Sequence, residues 1–479
     1  MKRLLLSSLL STLIVLPGPA VSANTINLPD LGDASRTVIS PAQERRLGED
    51  FMRRARQSLS FSHDPEISDY LQTLGQRLVA HSDNPGANFR FFVVNDPTIN
   101  AFAVPGGFIG VHTGLILAAE NEAELASVLA HEISHIPQRH IPRLLAEDQN
   151  ATLPTMAAIL AAILLGGNGG QAAVALTSAT LAQRGISFTR TFEEEADRIG
   201  VRLLAESGFD PRAMPAFFER MQQINRVNDT NLPDFLRDHP VTTARIADTR
   251  SRAEQYPYRQ RPDSLAFQLV RAKLRANESG DPATIVRAFT ANIKDEKITQ
   301  IEAEHYGYAV ALLRARQYDS ARAEVSRLLD RAPTNNFYRI LHAEIELAAG
   351  QTSTGLRLYA AAYKTDPNYQ PLAVNYAQAL VRSGRAPEAE PILRASLKQR
   401  PDDPSLYKLL SESLNAANKS AESHQALAEY YYLNGDAKAA IEQLRLASRR
   451  AGNNFYLQSS VEARIQAIKD ETALLADKK

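Results

Sequence analysis

His131-Glu132-Ile133-Ser134-His135 lies inside an apolar-periodic stretch from Glu120 to Ile136 that predicts a helix. Positions i and i+4 share one helical face, so both imidazoles can reach one metal ion while Glu132 projects beside it. Such a pattern arises by chance in about one chain in a hundred, so the flanking sequence must supply the rest. A catalytic zinc takes three protein ligands and leaves a position for water. The best third ligand is Glu193, which stands with Glu194, Glu195, Ala196 and Asp197 in a second helical pattern, Phe188 to Leu204. Glu193 and Asp197 fall on one face, which lets Asp197 hydrogen-bond an imidazole N–H and fix its tautomer. Glu194 is the alternative ligand, because three glutamates run together. Pro137 cannot donate to the carbonyl of Ile133, so the metal-bearing helix must kink or stop there.

Composition narrows the chemistry. The chain has 479 residues, 44% hydrophobic and 23% charged, which suits a multidomain globular protein. Lysine plus arginine (54) equals aspartate plus glutamate (54), so no global field draws the chain onto nucleic acid. The absence of cysteine removes disulfides, thiolate zinc sites and cysteine nucleophiles together, and leaves histidine and carboxylate as metal ligands. Lys2 and Arg3, the apolar run Leu4 to Leu16 and the small residues Val21-Ser22-Ala23 read as a signal peptide cleaved near Ala23. The apolar run is too short for a spanning helix, so no transmembrane helix is expected in the mature chain.

The stretch from Ala42 to about Leu78 predicts two amphipathic helices. Aromatic and β-branched residues predict a strand over 88–94, and Ala101 to Val104 and Phe108 to His112, joined by Pro105-Gly106-Gly107, complete a small sheet. The strand Ala101, Phe102, Ala103, Val104 reads either as ordinary core sheet or as an edge that takes up an extended substrate backbone. The insert at 152–180 is apolar and split by Gly166-Gly167-Asn168-Gly169-Gly170. It reads as a buried helical hairpin, or as a mobile lid or surface in peripheral contact with membrane or an unfolded client.

The carboxy-terminal half repeats every 34 residues: Pro333, Pro367 and Pro401 in one phase, and Arg316, Gly350, Gly384 and Asn418 in another. Small residues recur at Ala309, Ala343, Ala377 and Ser411, and at Ala321, Gly355, Ala389 and Ser423. The period resembles tetratricopeptide repeats, helix pairs that stack into a solenoid suited to recognising polypeptide. Residues 265–299 fit a degenerate capping pair and 437–468 a terminal pair. The expected division is 1–23 signal peptide, 24–262 metallopeptidase domain and 263–479 repeat domain. The expected fold is mainly α, a zincin-like α+β domain with a small sheet followed by an α-solenoid.

Asn100 to Gly107, His131 to His135, Glu193-x-x-Ala196-Asp197 and His239-Pro240 together resemble zinc metallopeptidases of the CaaX prenyl protease type. Joined to a signal peptide and repeats, they resemble exported members of that family in bacteria with two membranes. The resemblance implies one zinc ion per chain, His131, His135 and Glu193 as ligands, and Glu132 as catalytic base. It also implies a periplasmic location, unfolded or misassembled outer-membrane polypeptides as clients, and contact with the outer-membrane assembly machinery through the repeats. The alternative class is a chaperone or scaffold whose protease site is normally closed. His239 is the remaining active-site candidate: it stabilises the oxyanion, or takes the water position on zinc, or is a structural loop residue. Arg245 is a candidate contact to oxyanion or substrate. The other histidines, His140 among them, read as structural, since an ideal helix points His140 about 140° away from His135.

Overall fold

Ser40 opens the first helix with a reciprocal cap: its hydroxyl accepts from the Gln43 amide at 3.3 Å, and Gln43 Oε1 accepts from the Ser40 amide at 2.9 Å. The computed structural model describes residues 39–146, 190–227, 233–259, 261–295 and 300–476. The signal-peptide residues and the insert at 152–180 lie outside the described residues. This first helix, α1, spans Pro41–Ser58, and α2 spans Pro65–Val79 behind an Asp64 cap. Both were expected from apolar periodicity.

The aromatic and β-branched stretches form β1 (Arg90–Val94), β2 (Ala101–Val104) and β3 (Phe108–His112) in the order β1-β3-β2. β1 runs parallel to β3, with Arg90 opposite Phe108, and β2 runs antiparallel to it, with Ala101 opposite Val111. Gly106 and Gly107 make the β2–β3 turn at φ +84° and +93°, and a Cβ on Gly107 would sit 2.5 Å from the Asn88 carbonyl oxygen. β2 is therefore an edge strand. Ala101 and Ala103 join the main core while Phe102 and Val104 pack with Phe51 and Met52 of α1, the alternation a pleated strand imposes.

Among the described residues, seven further helices lie in the amino-terminal half: α3 (Thr113–Ala118), α4 (Glu122–His135), α5 (His140–Ala146), α6 (Arg190–Glu206), α7 (Ala213–Val227), α8 (Asp234–Asp238) and α9 (Thr243–Glu254). Helix pairs follow: α10 and α11 (Leu265–Ala276, Pro282–Lys294), α12 and α13 (Ile301–Arg314, Tyr318–Arg331), α14 and α15 (Asn336–Ala348, Thr352–Thr365). Then come α16 and α17 (Gln370–Arg382, Ala386–Gln399), α18 and α19 (Pro404–Ala416, Ser420–Leu433), and α20 and α21 (Ala437–Arg450, Phe455–Ala476). No helix among the described residues is long and apolar enough to cross a membrane.

Each repeat phase has a physical cause. Arg316, Gly350, Gly384 and Asn418 all adopt positive φ, 59°, 80°, 76° and 60°, as the residue that ends the first helix of a pair must. Pro333, Pro367 and Pro401 each follow the cap residue of a second helix. Ala309, Ala343 and Ala377 are fully enclosed, and the pair α18 and α19 substitutes Ser411 and Ser423, whose hydroxyls meet each other at 3.1 Å.

The two halves share one core, which runs without a break from Ile67 of α2 to Ile345 of α14. At its centre Lys273 of α10 donates to Glu66 of α2 and lies 2.7 Å from Asp64 Oδ2. Burial works against the Lys273 cation, yet Asp64 and Glu66 outweigh it and hold the ammonium well above its usual range. Further along, Arg400 pairs with Asp69 at 2.7 Å, and α1 reaches the late repeats through Arg53 to the Tyr432 hydroxyl (3.1 Å), Arg56 to the Leu433 carbonyl (2.8 Å) and Gln57 to the Asn434 carbonyl (2.9 Å). Replacing Lys273 with methionine strands two carboxylates and is expected to destabilise the chain by about 3–5 kcal/mol. Adding Glu66→Gln should recover most of that loss, as measured by urea unfolding.

Candidate metal centre

α4 starts at Asn121, whose side chain accepts from the Glu124 amide at 3.0 Å, and every residue from Glu124 to His135 is buried. A helix enclosed on all sides belongs in the core, and this one carries His131, Glu132 and His135. It ends where Pro137 requires, with Ile136 as its cap and Arg139 in the left-handed region at φ +52°. α6 meets α4 backbone to backbone at Gly200, where a Cβ would come 3.3 Å from the His131 amide nitrogen and 2.8 Å from Met214 Cε. Asp197 and Glu193, three and seven residues earlier, share that face of α6.

One ligand atom from each of His131, His135, Glu193 and His239 lies within 4.8 Å of the others, and all four residues are buried. The Nε2 atoms of His131 and His135 are 3.1 Å apart. Glu193 places Oε2 3.4 Å from the first of these and Oε1 3.7 Å from the second. Both rings thus turn Nε2 to a common point. Glu194 is elsewhere: it is exposed and pairs with Arg190 at 2.8 Å. His239 caps α8, with Nδ1 3.0 Å from Glu193 Oε1 and Nε2 3.3 Å from Glu132 Oε1. Among the described residues neither oxygen of the fully buried Glu132 makes a hydrogen bond.

Behind the rings, His131 Nδ1 lies 3.0 Å from Asp197 Oδ1. Arg245 clamps Asp197 from Nε (2.7 Å) and Nη2 (2.8 Å). Its Nη1 meets the Pro240 carbonyl at 2.8 Å and Glu193 Oε2 at 2.9 Å. Arg245, the candidate contact to oxyanion or substrate, is enclosed with its nitrogens engaged on the ligand scaffold.

His140 requires a correction. Its Nδ1 lies 2.8 Å from Nδ1 of His135 and its Nε2 lies 3.3 Å from Glu195 Oε2, so it is not a bystander. The ideal-helix projection fails because Pro137 ends α4 and the left-handed Arg139 turns the chain back. That turn is held by Arg139 Nη2 donating to the Ile39 carbonyl at 2.6 Å and by Glu44 at 3.3 Å. The signal was present in Pro137 itself, which invalidates helical projection beyond it.

The charges of the site are strongly coupled. Burial opposes a charged His131, but Glu193 and Asp197 outweigh it and push its pKa up to about 10. Burial, then the His131 charge, drives His135 well below its usual range. Burial works against the Glu193 carboxylate too, but His239 and His131 hold it well below. Burial pushes Glu132 up. Two imidazoles and a carboxylate, with unsatisfied Glu132 oxygens alongside, suit zinc in nitrogen and oxygen coordination.

Residues 65–253 match the model of peptidase family M48, and residues 346–414 match a tetratricopeptide repeat model. The chain is 35% identical over 486 residues to the beta-barrel assembly-enhancing protease of Escherichia coli, an alignment covering 98% of each chain. The chain belongs to the beta-barrel assembly-enhancing protease family. It is 34% identical over 455 residues to the putative beta-barrel assembly-enhancing protease of Vibrio cholerae, covering 94% of each. The mitochondrial metalloendopeptidase OMA1 of Arabidopsis thaliana is 35% identical over 161 residues, 34% of this chain and 31% of that protein. As an M48 metallopeptidase of this family, the chain must admit a metal between α4 and α6, and their contact at Gly200 sets the spacing.

Gly200→Val should wedge α6 away from His131, costing about 1–3 kcal/mol in chemical unfolding and most of the metal affinity, with Gly200→Ala intermediate. Because His131, pushed up to about 10, holds a proton that a cation must displace, metal affinity should rise as pH goes from 6 to 8. Chelator competition at the two pH values measures it.

Proposed function

We propose that the chain is a periplasmic zinc endopeptidase that cleaves unfolded or misassembled outer-membrane β-barrel polypeptides and so serves their assembly and quality control. The observation that carries this reading is the convergence of His131, His135 and Glu193 from α4 and α6 beside the buried carboxylate of Glu132, whose oxygens accept no hydrogen bond among the described residues. Kinship with beta-barrel assembly-enhancing proteases along the full length of the chain supports the choice of client. Zinc, one ion per chain, would acidify a water and polarise the scissile carbonyl when bound. Glu132 takes the proton from the attacking water and delivers it to the leaving amine, so no covalent intermediate forms. Asp197, held by Arg245, fixes the tautomer of His131. The edge strand β2 pairs with an extended substrate backbone, which favours unfolded segments.

The burial of His239 within the donor set favours a second layer of this reading. There its ring occupies the space that a nucleophilic water needs, and the chain binds clients with its protease closed until His239 is displaced. The division at residues 262 and 263 then separates catalysis from recognition, with the repeats engaging client and the outer-membrane assembly machinery. The leader is removed near Ala23, and the insert at 152–180 makes peripheral contact with membrane or client.

Glu132→Gln should lower cleavage of an unfolded β-barrel polypeptide by about 10²–10⁴-fold while keeping metal and client binding. Undiminished cleavage would remove the enzymatic role assigned to Glu132. His239→Ala should raise cleavage several-fold if the ring closes the site, and lower it if the ring serves the oxyanion.

A further inference from the structure

The geometry points to His140 as the positioning residue for His135: it accepts the proton on the outer nitrogen of that ring and so aims the inner nitrogen at the metal. This rests on the metal-centre reading above and adds to it a residue that neither the ligand motif nor α4 contains.

The proton count decides the direction of each bond. His135 turns Nε2 toward His131 Nε2 (3.1 Å) and Glu193 (3.7 Å), so Nε2 must keep its lone pair and Nδ1 must hold the hydrogen. That hydrogen points at Nδ1 of His140, 2.8 Å away, which must then be the acceptor. The remaining proton of His140 sits on Nε2 and donates to Glu195 Oε2 at 3.3 Å, an oxygen held from its other side by Arg143 Nη1 at 2.9 Å. One arrangement of hydrogens satisfies the whole chain from Arg143 to His135. It is also the arrangement that leaves His135 ready to bind a cation.

The ring of His140 is held in place as a positioning group must be. It is fully buried and stacks on Phe192 of α6 with centroids 4.7 Å apart and planes 14° apart. The guanidinium of Arg143 lies over the Phe192 ring at 4.7 Å. Phe192 and Glu195 flank Glu193 on α6, so the helix that delivers the carboxylate ligand also grips the residue that aims an imidazole ligand. The two rings therefore have matched supports, Asp197 with Arg245 behind His131 and His140 with Glu195 and Arg143 behind His135.

The test uses the full chain, with zinc affinity read by chelator competition and ligand geometry by the absorption spectrum of the cobalt-loaded protein. Phenylalanine at this position keeps the stack on Phe192 and removes the acceptor. His140→Phe should weaken zinc binding about 10–100-fold, shift the cobalt spectrum and lower kcat with little change in KM. His140→Asn, whose Oδ1 can accept from His135 Nδ1, should recover affinity to within a few-fold of wild type. Wild-type affinity and an unchanged cobalt spectrum in His140→Phe would overturn the inference while leaving the metal-centre reading intact. Wild-type protein that binds neither zinc nor cobalt would overturn the reading itself. Should His140→Phe fail to fold, Glu195→Gln decides: weakened zinc binding supports the relay and unchanged binding overturns it.

Discussion

Four ligand-type side chains buried within 4.8 Å of one another compete for protons, shed hydration and repel, and the fold must hold them there before any cation arrives. The solution is a set of counter-charges one layer out. Asp197 and Arg245 neutralise each other while fixing His131 and Glu193, and Arg143 does the same for Glu195 behind His140. The contact at Gly200 favours this, since a Cβ there would crowd the His131 amide nitrogen at 3.3 Å and Met214 Cε at 2.8 Å and push α6 away from the rings on α4. Removing water from the site raises the strength of every one of these interactions, and with it the cost of losing any partner.

Much of this was legible in the sequence because the signals were local and periodic. The histidines of α4 declared their shared face by spacing, and the repeats declared themselves by several phases of one 34-residue period, now seen as left-handed cap residues, helix stops and close-packed small residues. The choice between Glu193 and Glu194 was not local. It depends on which face of α6 is buried, and only the contact with α4 decides that.

What was illegible has a common cause. Lys273 and Glu66 are separated by two hundred residues and carry no mark of their pairing, because a buried ion pair between halves leaves no periodicity. His140 was hidden by an assumption of helical continuity that the neighbouring proline contradicts, and the clamp made by Arg245 was hidden because its partners, Asp197 and the Pro240 carbonyl, converge only in three dimensions.

The helix α1 has a further significance. Its first turn presents Glu44 to the turn at Arg139, and its last turns present Arg53, Arg56 and Gln57 to residues of the late repeats. An α-helix of 18 residues is a rod about 27 Å long, stiff over that span. One stiff helix therefore braces both the turn behind the metal ligands and the junction between α19 and α20, so the placement of the late repeats is tied to the same rod as the metal site.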